Sequence, residues 1–316
     1  MGAAAVRSKL STRYNMKFPG TILLTGAGGM LGVRLLPHLK KAFKKSRIFS
    51  VFHGAGSQVF ETTAVGDLTD KDFLEHVINA SQPDLIINLA ALTDVERCEN
   101  EPELARRVNA GIPQALAAQA PDAKLIQLSS DYVFDGKSGS YIPDSLPAPL
   151  SVYGKTKLES ESMTLQNSRN LVVRASGTFD WLTTGNLFSY FAARLDEKLK
   201  VRALSDSFYT PIWADDLARG IVGLLKQETA GLIHYAGPER MSRYDFALVI
   251  ADEFGFDKTL IERANQKDFN WKARRPADSS LNSAEGYKQA KVTPHTLAEA
   301  LAIMREQMEA PVSEIT

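Results

Sequence analysis

Apolar residues along the chain fall into short unbroken runs, separated by longer stretches in which they recur every three or four positions. "TILLT" (21–25), "RIFSVF" (47–52), "TTAV" (62–65), "DLIINLA" (84–90), "KLIQLSS" (124–130) and "NLVVRAS" (170–176) read as buried strands. Between them, "MLGVRLLPHLKKAFKK" (helical despite Pro37), "DKDFLEHVINA" and "ENEPELARRVNAGIPQALAAQA" carry the spacing of helices with one apolar face. Strands without a polar side, alternating with such helices, predict right-handed βαβ units. The expected fold class is α/β, with a doubly wound parallel sheet covered on both faces.

After residue 176 the rhythm loosens. "GNLFSYFAARLDEK" and "WADDLARGIVGLLKQ" read as helices and "GLIHYAG" as a strand. "SRYDFALVIADEFG" opens on a Ser N-cap and closes on Gly255. "ARRPADSSLN" (273–282) reads as a basic loop, and "TPHTLAEALAIMREQME" as a helix with proline in its first turn. The pattern divides the chain into a loose tail (1–17), a sheet domain (18–176, with returning segments from about 208–237) and a smaller, interleaved region (177–316) that ends in frayed "APVSEIT".

Charge and composition then remove classes of partner. Thirty-seven basic and 37 acidic residues leave no net charge, so nucleic acid and acidic membrane surfaces have no electrostatic claim. No apolar run approaches the roughly 20 residues of a membrane span. The single cysteine, Cys98, excludes an internal disulfide or a cysteine metal cluster and suits a reducing, cytoplasmic compartment. The five histidines are scattered without ligand spacing, so no metal is expected.

"LLTGAGGMLG" places glycines between a strand and a helix, where backbone N–H groups and the helix dipole suit a pyrophosphate. Gly26, Gly29 and Gly32 fit G-x-x-G-x-x-G, with Met30 and Leu31 inside the loop. This predicts a Rossmann-type dinucleotide site. The second strand ends without an acid, at His53, which favours NADP over NAD because nothing there repels a 2′-phosphate. Asp67, followed by Leu68, stands after the third strand, where a carboxylate can accept from an adenine amino group or cap a turn.

Tyr153 and Lys157 in "SVYGKTKLESE" lie one helical turn apart and so share a face. Ser130 ends the fifth strand, at the carboxyl edge where such sheets bind ligands. The three residue types suit proton transfer beside a nicotinamide. The phenol, ordinarily near pKa 10, is expected to be lowered by the ammonium together with the positive nicotinamide of the oxidised cofactor. Tyr153 would then protonate a carbonyl oxygen that Ser130 steadies, while Lys157 also holds the ribose.

Together with "NLAALTDVERCENEPELARRVNA" and "ARRPADSSLN", the motifs "SSDYVFDG" and "YGKTKL" resemble the dTDP-4-dehydrorhamnose reductase family of extended short-chain dehydrogenase/reductases, over about residues 20–305. The resemblance implies Ser130, Tyr153 and Lys157 as the catalytic set and backbone cofactor contacts at Leu89, Ala90 and Ala91. It further implies substrate contacts at Thr93, Val95, Asp131 and Tyr132. Arg274 and Arg275 fall where the family meets the diphosphate of a nucleotide-sugar substrate, and guanidinium groups suit phosphate. Where that branch carries an aromatic after the sixth strand, this chain has Gly177, which leaves the sugar unassigned. The same motifs resemble the regulatory β subunit of methionine adenosyltransferase, a dinucleotide-binding partner subunit. Another nucleotide-sugar reductase or epimerase fits as well, and a homodimer is compatible with each.

Overall fold

The computed structural model describes residues 19–54 and 63–310. The expectations for the N-terminal tail, for Thr62 and for residues 311–316 therefore lie outside the described residues. The predicted strands form one parallel sheet: β1 (Thr21–Thr25), β2 (Arg47–Phe52), β3 (Thr63–Val65), β4 (Leu85–Asn88), β5 (Lys124–Ser130), β6 (Leu171–Ala175) and β9 (Gly231–His234). Their order is β3-β2-β1-β4-β5-β6-β9, so the chain reverses direction across the sheet between β1 and β4. β7 (Val201–Leu204) pairs with β11 (Ile261–Ala264), and β8 (Phe208–Tyr209) with β10 (Met241–Ser242), outside the main sheet.

Side-chain alternation sends Ile22 and Leu24 to one face and Leu23 to the other. The first face is covered by α1 (Met30–Ala42) and α8 (Ala214–Lys226), through Leu35, Leu39, Leu217 and Ile221. The second is covered by α2 (Lys71–Ser81) and α5 (Ile112–Gln119), through Val77 and Leu116. A third core, rich in phenylalanine, joins α7 (Leu187–Asp196), α9 (Arg243–Phe254) and α11 (Leu297–Glu309) through Phe188, Phe246 and Leu301. α10 (Ala284–Ala290) lies against α8, where Gly223 gives Ala290 room. Among the described residues no helix is long and apolar enough to cross a membrane.

Two predicted elements differ. The amphipathic stretch 99–120 is not one helix. It starts earlier, as α3 (Val95–Asn100) capped by Asp94, and continues as α4 (Pro102–Arg106), a π-turn (Arg107–Gly111) and α5. Pro113, without an N–H, cannot bond back to the turn before it, and that turn widens. The last helix begins at Leu297, so Pro294 precedes it rather than sitting in its first turn. Thr296 makes the start, its hydroxyl accepting from Glu299 N–H while Glu299 accepts from Thr296 N–H.

Helix α6 (Val152–Thr164), capped by Ser151, is pinned to the sheet by a buried ion pair. Arg174 of β6 gives Glu161 two hydrogen bonds, Nε to Oε1 at 2.8 Å and Nη2 to Oε2 at 2.7 Å. Ser129 of β5 donates to the same carboxylate, and His234 of β9 stands 3.2 Å from Arg174 Nη1. Burial, with Arg174 beside it, pushes His234 down to about 3, so it stays neutral and adds no second cation. Removing one partner of a buried pair leaves the other charge uncompensated, typically at a cost of about 3–5 kcal/mol. Glu161→Gln should lower the unfolding free energy by an amount in that range, read as a shifted urea midpoint; an unchanged midpoint would show that the pair does not hold α6.

Candidate active site

The glycine loop runs from the end of β1 into α1 and has the shape a diphosphate requires. Gly26 has φ +66°, and a Cβ there would lie 2.8 Å from Ala90 N and from the Leu89 carbonyl carbon. At Gly32 a Cβ would lie 2.5 Å from Gly26 O, so α1 can approach the loop only on glycine. Gly29 caps α1 without a side chain, and the first turn carries no acid. Its N–H groups and the dipole are thus left for an anion. Met30 is half-buried and Leu31 buried behind the loop. A dinucleotide fits this cradle.

His53 is exposed at the end of β2. Asp70 caps α2, which frees Asp67 from that role; Asp67 accepts from Thr69 N–H at 2.8 Å. Burial opposes ionisation of Asp67, but the Thr69 hydrogen bonds, helped by His53 and Arg107, hold it below the usual carboxylate range. Leu68 is buried beneath it. Leu89, Ala90 and Ala91 leave β4 half-buried, beside the glycine loop.

Ser130, at the end of β5, and Tyr153, at the start of α6, come together as expected. Burial raises the Tyr153 phenol above its ordinary value, a Ser130 hydrogen bond pulls it back, and the Asp131 carboxylate pushes it up again. The predicted lowering by Lys157 is therefore not what the protein does to this phenol; Ser130 is the lowering group. Lys157 is 3 % exposed and donates to Leu128 O at 2.5 Å. Burial brings it down to about 8, against the opposite pull of Glu161 one turn on.

The expected substrate residues divide. Thr93 is exposed on the loop after β4, and Val95 opens α3. Tyr132 lies edge-on to Tyr153, with ring centroids 5.7 Å apart, and accepts from Arg243 Nη2 at 3.1 Å. Asp131 is buried, its carboxylate taken by three serine hydroxyls, and so does not face the cleft. Arg274 is exposed. Arg275 instead pairs with Glu96 at 2.9 Å and lies over Trp271, so its charge is already neutralised. Glu96 also accepts from Lys272 N and Ala273 N, latching the 272–275 loop to α3. At Gly177, φ is +50° and a Cβ would lie 2.3 Å from the ring of Tyr209, which fills the space beside it.

Several site residues were not foreseen. Asn109, in the π-turn, accepts from Leu92 N and donates to Leu92 O and Thr156 Oγ1, clamping the loop after β4 to α6. Glu161 follows Lys157 by the same four-residue step that links Lys157 to Tyr153, which is a signal the sequence did offer. Arg243, Ser176 and Ser279 come from distant segments and carried no such signal. Among the described residues no group of His, Cys, Asp and Glu could hold a metal ion.

Comparison with known proteins places this geometry. The family model described as RmlD substrate binding domain matches residues 20–310. A dTDP-4-dehydrorhamnose reductase of Aggregatibacter actinomycetemcomitans is 32% identical over 304 residues, covering 91% of this chain and 99% of its own. A crystal structure of a dTDP-4-dehydrorhamnose reductase from Clostridium acetobutylicum superposes with a TM-score of 0.81 at 27% identity, covering 92% of this chain and all of that one. Methionine adenosyltransferase 2 subunit beta of Rattus norvegicus is 28% identical over 280 residues, 84% of this chain and 80% of its own.

The Lys157 shift has a measurable consequence. Its ammonium is present below about pH 8 and lost above it. Dinucleotide affinity, followed by fluorescence titration, should fall as pH rises through that region. Lys157→Met should bind more weakly and lose the pH dependence; a wild-type profile in the variant would show that Lys157 does not touch the cofactor.

Proposed function

The chain belongs to the RmlD substrate binding domain family, and on that basis we propose that it is an NAD(P)H-dependent reductase of a nucleotide-linked 4-keto-sugar, acting as dTDP-4-dehydrorhamnose reductases do. The observation that supports this reading is the approach of Tyr153 to Ser130 at the carboxyl ends of the strands, on the same sheet edge as the glycine cradle, with Lys157 one helical turn on and bonded to Leu128 O of β5. The dinucleotide, when bound, supplies the hydride. NADPH is the preferred form in this reading, because the second strand ends at His53 without a carboxylate to repel a 2′-phosphate.

The protein's own groups divide the remaining work. Gly26, Gly29 and Gly32 admit the pyrophosphate, and Asp67 faces the adenine. Lys157 holds the nicotinamide ribose. Tyr153 gives its proton to the keto oxygen, and its raised pKa keeps it protonated at neutrality, as a proton donor must be. Thr93, Val95 and Tyr132 contact the sugar. Arg274 is the loop arginine left for the diphosphate, since Arg275 is held by Glu96.

A second reading, a dinucleotide-binding regulatory subunit, draws on the likeness to the rat methionine adenosyltransferase subunit and on Gly177 in place of an aromatic residue. A panel of nucleotide keto-sugars, followed at the nicotinamide absorbance with NADH and NADPH, separates the two. Turnover is expected, faster with NADPH. Tyr153→Phe should lower it by about 10²–10⁴-fold, as for loss of a general acid, with NADPH binding unchanged. Cofactor binding with no turnover on any keto-sugar, together with a stable complex on a methionine adenosyltransferase catalytic subunit, would replace the first reading with the second.

A further inference from the structure

Arg243 is the first residue of α9 and directly follows β10. The antiparallel register of β10 on β8 pairs Met241 with Tyr209, and Arg243 N donates to Ser207 O at 3.2 Å. The arginine side chain is thereby delivered against Tyr209, with its guanidinium carbon 5.7 Å from the ring centroid. Its Nη2 donates to Tyr132 Oη at 3.1 Å, and Tyr132 lies edge-on to Tyr153, ring centroids 5.7 Å apart. One phenol therefore separates this cation from Tyr153.

No charge of the protein pairs with it. Among the described residues Arg243 makes no ion pair, and its Nε is buried without a hydrogen-bond partner. Asp131 attracts it from beyond ion-pair distance, but three serine hydroxyls already engage that carboxylate. The Tyr209 hydroxyl is also buried and unpartnered, with Arg243, Asp131 and Tyr132 around it. The place in the helix adds to the cost, because a helix start favours anions over cations. Asp245, in the same first turn, is held by Ser242 instead. A half-buried cation without a counter-charge is expensive for folding, and it is what a site for an anion needs.

The balance of donors indicates the kind of group. A guanidinium only donates. Tyr132 takes a hydrogen from Arg243, and among the described residues nothing accepts the hydrogen of Tyr132, so it too has one to give. The complement of such a recess is an oxygen group that carries no hydrogen. Gly177 makes the arrangement possible: a Cβ there would lie 2.3 Å from the Tyr209 ring, and that ring is the surface on which the guanidinium rests.

We infer that Arg243 is a specificity-determining residue which, with Tyr132, binds an anionic oxygen group of the substrate beside Tyr153, either a carboxylate on the sugar or a phosphate of the nucleotide. The inference rests on the reductase reading above.

The test compares Arg243→Met with the unaltered full-length protein, using NADPH and nucleotide-linked 4-keto-sugars with and without a carboxylate on the ring. Free dTDP serves as a competitive inhibitor. The variant should raise KM by about tenfold or more with a smaller change in kcat, as for loss of a charged hydrogen bond that acts on binding. If the anion is a sugar carboxylate, the loss is confined to the carboxylate-bearing sugars. If it is a phosphate, both kinds of sugar lose equally, and the inhibition constant of dTDP rises by the same factor. An unchanged KM on every sugar would overturn the inference and leave Arg243 a strut between α9 and Tyr132. A loss on neutral sugars with an unchanged dTDP constant would also overturn it, since the contact would then be to an uncharged hydroxyl. Should Arg243→Met fail to fold, Arg243→Gln, which keeps a donor and loses the charge, carries the same comparison. If the unaltered protein turned over no keto-sugar, the reductase reading would fall and this inference with it; a working enzyme whose variant keeps its KM removes the inference alone.

Discussion

The bidentate pair between Arg174 and Glu161 is the constraint on which the rest of the site depends. Glu161 is the only carboxylate on α6 that reaches into the sheet, and it meets β6 through Arg174 and β5 through Ser129. Once those bonds are made, α6 can neither rotate nor slide. The positions of Lys157, one turn earlier, and Tyr153, two turns earlier, follow. Two charges buried together are not in themselves a strong source of stability, because desolvation offsets most of their attraction. Their value here is geometric: the two-pronged contact admits one orientation of the helix. His234 completes the arrangement by remaining neutral against Arg174 and accepting a fixed place beside Tyr141 O.

A second set of contacts ties distant parts of the chain together. Arg34 of α1 reaches Asp180 with two hydrogen bonds, and Trp213 donates to the same carboxylate, so the helix that follows the glycine cradle is bolted to the C-terminal half. On the far side the Glu96 latch closes the 272–275 loop onto α3. The glycine loop, the α6 helix and the 272–275 loop thus belong to one braced unit. The glycine loop needs no closing movement of α1 to present its N–H groups.

Much of this was legible in the sequence, and the reason differs by level. The parallel strands announced themselves because both faces of the sheet are covered, which demands unbroken apolar runs such as "TILLT" and "DLIINLA". Gly26 and Gly32 were readable because the backbone leaves no room for a side chain there, and the Tyr153–Lys157 step because the helix repeat is short-range. What was not readable depends on long-range placement. Arg275 looks in the sequence like a free guanidinium, yet Glu96, far away along the chain, has already claimed it. Asp131 sits beside Ser130 in the motif but turns inward to Ser176 and Ser279. The π-turn at Arg107–Gly111 shows in hindsight as Pro113, but the clamp that Asn109 makes from it requires knowing that Leu92 and Thr156 lie opposite.

The contact between Gly177 and Tyr209 bears on how this chain can change over evolutionary time. The Tyr209 ring stands where any side chain at 177 would begin, and the left-handed backbone at 177 independently disfavours one. An aromatic residue cannot be introduced at 177 while Tyr209 remains, and shrinking Tyr209 first would open a cavity in a packed region. Each single step is disfavoured, so the two positions are locked to one another and would be exchanged only as a pair. Lineages with a large residue at one position should carry a small one at the other, and the two solutions should be separated by a gap rather than joined by intermediates. The choice of which position supplies the ring is therefore a historical commitment, one that restricts the wall around residues 177 and 209 long after the surrounding fold has been fixed.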